Sequence, residues 1–353
     1  MGSNTIGKRF SVTSFGESHG KHIGVVIDGF PANVKIDEDF IQDAIDRRRP
    51  GQSALTTQRN ESDRMEITTG VFEGKSTGAP ITILIPNKDQ RPEDYDHLKE
   101  VYRPSHADYT YDKKYGHRDH TGGGRSSARV TAGWVAAGAL AESYLIDHYN
   151  IELSAWVSRV YDVQFTERKP FGRAEIDASI VRCPNAEASD KMEVAIQMAK
   201  EEGDSLGGIV SCYIRNCPVG IGNPVFEKLN AQLAYAMFSI NAVKGFQIGS
   251  GFDSVNFKGS ELNDSWEGQS GETSTSTNNS GGIQGGISNG QDIYFDVAFK
   301  PTATIGKAQQ TVNTAGENID FAASGRHDPC VVPRAVPIVE AMAAIVLLDQ
   351  ILA

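Results

Sequence analysis

Basic charge is in short supply in this chain of 353 residues. Its 34 Lys and Arg stand against 45 Asp and Glu, a formal net charge of −11. That balance argues against a general nucleic-acid or anionic-membrane binder, and no aromatic–basic stripe argues otherwise. Cysteine is scarce as well. Cys183, Cys212, Cys217 and Cys330 are scattered without a C-x-x-C pair, and no apolar leader opens the chain. They read as reduced thiols, so the expected compartment is the cytoplasm. No apolar run reaches the ~18 residues of a membrane-spanning helix, so no membrane association is expected. Repeats of fixed period are missing too, which excludes a solenoid or propeller.

What the chain does have is glycine, 36 of them, set among mixed helical and strand patterns. "IDEDFIQDAIDRRRP" is predicted as a helix capped by Asp37, with acids in its first turn, arginines in its last and Pro50 beyond. Further helices are expected in "RSSARVTAGWVAAGALAESYLIDHY", "EASDKMEVAIQMAKEEG", "NPVFEKLNAQLAYAMFSINA" and the apolar C-terminal "RAVPIVEAMAAIVLLDQIL". "IGVVID", "APITILI", "GIVSCYIR" and "DIYFDVAFK" read as strands. No linker divides the chain, so one domain spanning 1–353 is expected. Residues 267–282, rich in Gly, Ser, Thr and Asn, read as a mobile loop.

Five stretches carry candidate chemistry. In "SFGESHGKHIG", Gly16 and Gly20 flank His19, a possible proton donor near neutral pH; a tight turn with a surface histidine is the plainer reading. "RRRPGQS" places Arg47, Arg48 and Arg49 at a helix end, where one or two can face inward while another stays in water. "YRPSHADYTYDKKYGHRDH" brings Arg103 and His106 together; its "HRDH" has no third ligand motif, so no metal is expected. "TGGGRSSAR" joins three glycines to Arg125, Ser126, Ser127 and Arg129. It lacks the GK[ST] of a Walker loop, yet glycines, hydroxyls and a helix start suit an anion. Placed i, i+4 on one helical face, Arg125 and Arg129 would repel each other by a few tenths of a kcal/mol without an anion. "SGRHDPCVVPRAVP" adds Arg326, His327, Asp328 and Arg334 in a proline-stiffened segment. Local Arg/His/Ser/Gly clusters in an acidic chain point to small polyanions as ligands, and best to two of them.

In sequence order, "GESHG" (16–20), "GGRSSAR" (123–129) and "GRHDPC" (325–330), with "RRRPG", "RPSHADYTY", "SINAVKG", "GGIQGGISNG" and "KPTATI", resemble the chorismate synthase family over essentially the whole chain. The resemblance implies a carbon–oxygen lyase that converts 5-enolpyruvylshikimate 3-phosphate into chorismate and phosphate, the last step of the shikimate pathway. The reaction is an anti-1,4-elimination that needs reduced FMN without net redox change; NADPH enters only as a source of reduced flavin, with an external flavin reductase as a possible partner. It implies an α/β sandwich whose antiparallel sheets flank central helices, assembled as a homotetramer. Roles carry over by position. His19 would protonate the departing phosphate, His106 would support the anionic reduced flavin, and Asp328 would help remove the C6 proton. Arg48, Arg103, Arg129 and Arg334 match substrate-binding arginines. Arg125, Ser126, Ser127, Asn241, Ala242, Gly285, Lys300, Pro301, Thr302, Ala303, Thr304 and Arg326 match flavin-contacting positions. Ala54 stands where many members have arginine. The rival expectations are a flavin-dependent oxidoreductase, in which flavin would be consumed, and a non-catalytic anion- or RNA-binding protein.

Overall fold

A computed structural model describes residues 4–51, 61–89, 92–269, 271–323 and 328–353. Two five-stranded antiparallel sheets enclose a pair of long helices. The first sheet is built from Thr5–Ile6 (β1), Ser11–Gly16 (β2), His22–Asp28 (β3), Glu66–Thr69 (β4) and Ile81–Pro86 (β5), in the order β1-β2-β3-β5-β4. The second uses Glu152–Val160 (β6), Val163–Gln164 (β7), Gly208–Arg215 (β8), Val243–Ile248 (β9) and Ile293–Phe299 (β10), in the order β7-β6-β8-β10-β9. Side chains alternate across a strand, so every second residue can reach the core. Ile23, Val25 and Ile27 of β3 do so, and they pair in register with Ile85, Ile83 and Ile81 of β5. In the second sheet Val210, Cys212 and Ile214 of β8 pair in register with Val297, Phe295 and Ile293 of β10, and all six are buried.

The helices are Glu38–Arg48 (α1), Asp108–Tyr115 (α2), Thr131–Tyr149 (α3), Ala186–Glu201 (α4), Leu229–Ser239 (α5) and Val332–Ile351 (α6), besides shorter turns. α3 and α6 pack on each other between the sheets, α3 against β3 and α6 against β6. Small residues make that closeness possible. A Cβ on Gly138 of α3 would lie 2.3 Å from the Cβ of Ala341 on α6. Gly138→Ala is therefore expected to push the central helices apart and cost ~1–3 kcal/mol as overpacking. Chemical denaturation checks this; unchanged stability would mean that the crossing relaxes freely.

Two local expectations are corrected. The helix expected from residue 125 begins at Thr131. Before it the chain makes two 3₁₀ turns, Gly124–Ser126 and Ala128–Val130, separated by Ser127 in extended conformation, with its Oγ accepting from Arg129 N. Arg125 and Arg129 thus share no helical face. The helix expected from Asn223–Pro224 begins at Leu229. Lys228 is extended, and Leu229 N donates to Gly286 O, which ties the segment to another loop. Within 267–282, Trp266–Gln269 pairs with Glu272–Thr275, and Asp264 accepts from Thr277 Oγ1, Asn279 N and Ser280 N.

Candidate active site

The loops that leave the sandwich around α1, β2, α3, β10 and α6 converge on a cavity of about 440 Å³. α1 is short, capped at Asp37, whose carboxylate accepts from Phe40 N, and it ends at Arg48. Macrodipole compensation alone would leave that arginine in water. Instead Arg48 is 1% exposed, while Arg47, largely buried as well, pairs with Asp177 and the buried Glu340. Arg48 donates from Nε to Thr131 Oγ1 (3.2 Å), from Nη1 to Asp63 (3.3 Å) and from Nη2 to Ala128 O (2.9 Å). Arg129 donates to the other oxygen of Asp63 and, from Nε, to Asn87 Oδ1 (2.8 Å). One carboxylate with no exposure thus bridges two buried guanidiniums. Asp63 itself sits at φ 45°, and Gln42 of α1 holds it there by donating to its carbonyl (3.2 Å). Arg103 pairs with Asp108, and Arg334 with Asp328. Each of these four arginines is fixed by an acid.

His19 lines the cavity beside Tyr95, ring centroids 4.7 Å apart and edge to face. Its Nδ1 lies 3.0 Å from Ser18 Oγ. Gly122 is the other wall. Its φ is +74°, and a Cβ there would come within 2.6 Å of the His19 ring. This answers why bare glycine precedes the arginine-serine loop: the histidine occupies the space. Gly122→Ala should displace His19 and lower turnover by at least ~10-fold, short of the ~10²-fold or more of a proton donor lost outright. Turnover and thermal unfolding measured together check it; wild-type turnover would show that the ring is held elsewhere.

The positions matched to flavin divide. Ser126, Ser127, Asn241, Ala242, Lys300, Thr302, Ala303 and Thr304 line the cavity. Pro301 joins Lys300 to Thr302 without lining it. Arg125 does not line it either: its guanidinium donates to Gly16 O (3.0 Å), Ser14 O (3.1 Å) and Asn4 Oδ1 (3.2 Å), bracing the turn before His19. Gly285 lies in the separate hairpin of Ile283–Gln284 and Ile287–Ser288, away from the cavity lining. Arg326, with His327 and the stretch Gln52, Ser53 and Ala54, lies outside the described residues. None of the described residues of 267–282 is part of this lining. Asp63, Asn87, Tyr95 and Asp108 went unnoticed in the sequence. They sit in ordinary polar stretches, and only the fold shows which arginine or histidine each one meets.

Five basic side chains converge here, Arg48, Arg103, Arg129, Arg334 and Lys300, and three carboxylates, Asp63, Asp108 and Asp328, are paired with four of them. The described residues leave a positive surplus in an acidic protein. A family model described as chorismate synthase matches residues 10–352. The chain belongs to the chorismate synthase family. It is 55% identical to the chorismate synthase of Cytophaga hutchinsonii over 349 residues, covering 98% of this chain and 97% of that one. It is 56% identical to that of Phocaeicola vulgatus over 350 residues, 99% and 98% of the two chains. A solved structure titled as chorismate synthase superposes with a TM-score of 0.78 at 29% identity, covering 98% of this chain and 93% of that one. Family membership makes the chain a carbon–oxygen lyase of the shikimate pathway, in aromatic amino-acid biosynthesis.

Proposed function

We propose that the cavity binds reduced FMN beside 5-enolpyruvylshikimate 3-phosphate, and that the chain eliminates phosphate from it to give chorismate. The observation that carries this reading is the set of convergent arginines, each already rigid on a carboxylate. Fixed donors aimed at developing charge stabilise a transition state without reorganising.

The residues fit a flavin. Asn241 donates from Nδ2 to Ser126 O (2.6 Å), while its Oδ1 is buried with no partner among the described residues. A buried acceptor left unmatched costs ~1–3 kcal/mol, and a ring N–H of the flavin would satisfy it. Burial and then Lys244 push the Lys300 ammonium below its ordinary value. An anion beside it would relieve that strain on its charge. Asn241, Ala242, Lys300, Thr302–Thr304, Ser126 and Ser127 would hold the cofactor. When bound, reduced FMN supplies an electron-rich ring against the substrate.

In the elimination the C–O bond to phosphate breaks, the pair leaving with oxygen, and the C6–H bond breaks to form the new double bond. No net oxidation occurs. Arg48, Arg129, Arg103 and Arg334 hold the phosphate and carboxylates. His19 delivers a proton to the departing phosphate, Asp328 assists removal of the C6 proton, and His106 faces the flavin. The homotetramer, the cytoplasmic setting, an external flavin reductase fed by NADPH and a single domain over 1–353 belong to the same proposal. Support comes from family membership, and for the domain from a continuous core running from Phe10 to Leu348. Residues 267–282 are proposed as a mobile segment. Gly285, Pro301, Arg125 and Arg326 stand as flavin positions on the resemblance alone.

Arg48 can separate the two ligand sites, since it is held in the Asp63–Arg129 cluster and is matched to the substrate, whereas Asn241 is matched to the flavin. Arg48→Ala should raise the substrate KM by ~10–100-fold, the worth of a hydrogen bond to a charged group, and change FMN affinity far less. Steady-state kinetics with a parallel flavin titration check this. Equal effects on both ligands would assign Arg48 to the wrong anion.

A further inference from the structure

The turn after Arg103 contains a donor count that does not balance by itself. Ser105 is left-handed at φ 55°, and this bends the chain so that Arg103 and His106 both meet the side chain of Asp108, at the start of α2. Asp108 is 5% exposed. Its Oδ2 accepts from Arg103 N (3.0 Å) and Arg103 Nε (2.8 Å). Arg103 Nη2 has three acceptor atoms around it: Gly122 O at 2.7 Å, Asp108 Oδ1 at 2.8 Å and His106 Nδ1 at 3.0 Å. A guanidinium nitrogen of this type carries only two protons. The two nearer, oxygen acceptors take them. His106 Nδ1 then receives nothing from Arg103, and it lies 3.1 Å from Asp108 Oδ1, which can only accept. The contact is satisfied if Nδ1 carries a proton of its own and donates it to the carboxylate.

We propose that Asp108 is a positioning residue. It locks Arg103 with one edge and, with the other, holds neutral His106 as the Nδ1–H tautomer, so that Nε2 is the atom His106 offers to a ligand. Asp108 suits this task because it stays ionised. Burial pushes its carboxyl up, but hydrogen bonds from Arg103 and His106 outweigh that and hold it well below the usual carboxylate range. Arg118 adds a second guanidinium, its Nη1 3.4 Å from Oδ1. The ring nitrogens have distinct roles fixed by the partner that one of them meets. With Nδ1 committed, neutral His106 accepts at Nε2 from a ligand N–H or receives a proton there. Protonated, it donates from the same atom to an anionic ring. One carboxylate thereby links an arginine on the substrate side to the histidine on the flavin side. The functional half of this inference rests on the proposed flavin role of His106; the tautomer does not.

The test uses the full chain labelled with ¹⁵N-histidine and no ligand. Long-range ¹H–¹⁵N correlation spectra above pH 8 report which nitrogen of each neutral ring is protonated. The chain has eight histidines, and His106→Gln identifies the signal by its loss. The expected result is a protonated Nδ1 and a lone-pair Nε2 in the wild type. Asp108→Ala, which removes the acceptor, should shift the ring toward Nε2–H and lower turnover by at least ~10-fold. A wild-type ring protonated at Nε2 overturns the inference without any variant. So does a tautomer indifferent to Asp108→Ala in protein that remains folded by near-UV circular dichroism. If His106→Gln keeps full turnover while the spectra come out as expected, the catalytic reading of His106 fails and the tautomer assignment stands.

Discussion

Replacing His19 with alanine should lower turnover by ~10²–10⁴-fold, the range spanned by a lost general acid, while leaving substrate affinity nearly intact. The leaving group is a phosphate dianion, and its departure builds charge on the bridging oxygen. A proton delivered there removes the charge as it forms. His19 is placed for this by three contacts of different kinds. Ser18 Oγ engages Nδ1 at 3.0 Å, Tyr95 covers one side of the ring, and Gly122 leaves the other side just enough room. Arg48, Arg129 and Arg334 are held by their own acids, so ground-state binding should survive. Single-turnover kinetics separate the two quantities. Turnover within about 2-fold of wild type would mean that the phosphate takes its proton from another group.

The largest effect on stability is expected at Asp63. Asp63→Ala leaves Arg48 and Arg129, 1% and 4% exposed, with no shared carboxylate between them. Removing one partner from a buried ionic cluster strands the charge that remains, at a cost of ~3–5 kcal/mol. Asp63→Asn keeps an acceptor for one guanidinium and should lose less. The vacated position lies between two cations, so inorganic phosphate should raise the unfolding temperature of Asp63→Ala more than that of the wild type. Calorimetry with and without phosphate measures both parts. A loss below ~1 kcal/mol, in the range of an exposed ion pair, would show that Asp63 does not hold the arginine pair.

Asp63 also shows where sequence reading stops. Arg48 and Arg129 stood out because they sit beside glycines and hydroxyls in short motifs. The acid that joins them lies in "ESDRMEI", which has no local signature, and its partners are 15 and 66 positions away. The core was easier. α3 and α6 are apolar on nearly every side, so they had to be central, and the alternation in β3 and β5 fixed which faces they cover. Arg125 was misplaced by assuming a regular helix. Ser127 interrupts the turns, and the guanidinium finds carbonyls of the turn before His19 instead. Histidines, arginines and glycines of the site were therefore legible, because ligand chemistry restricts them to few residue types. The carboxylates that orient them were not, since any polar stretch can supply one and only tertiary packing selects which.

The most direct measurement is an anaerobic reaction of the purified chain with 5-enolpyruvylshikimate 3-phosphate and a sub-stoichiometric amount of chemically reduced FMN. Chorismate and inorganic phosphate should appear in equal amounts, over many turnovers, with the flavin still reduced at the end. Flavin oxidised in proportion to product would contradict an elimination without net redox change, and substrate left unconverted would contradict the assignment of this cavity as its site.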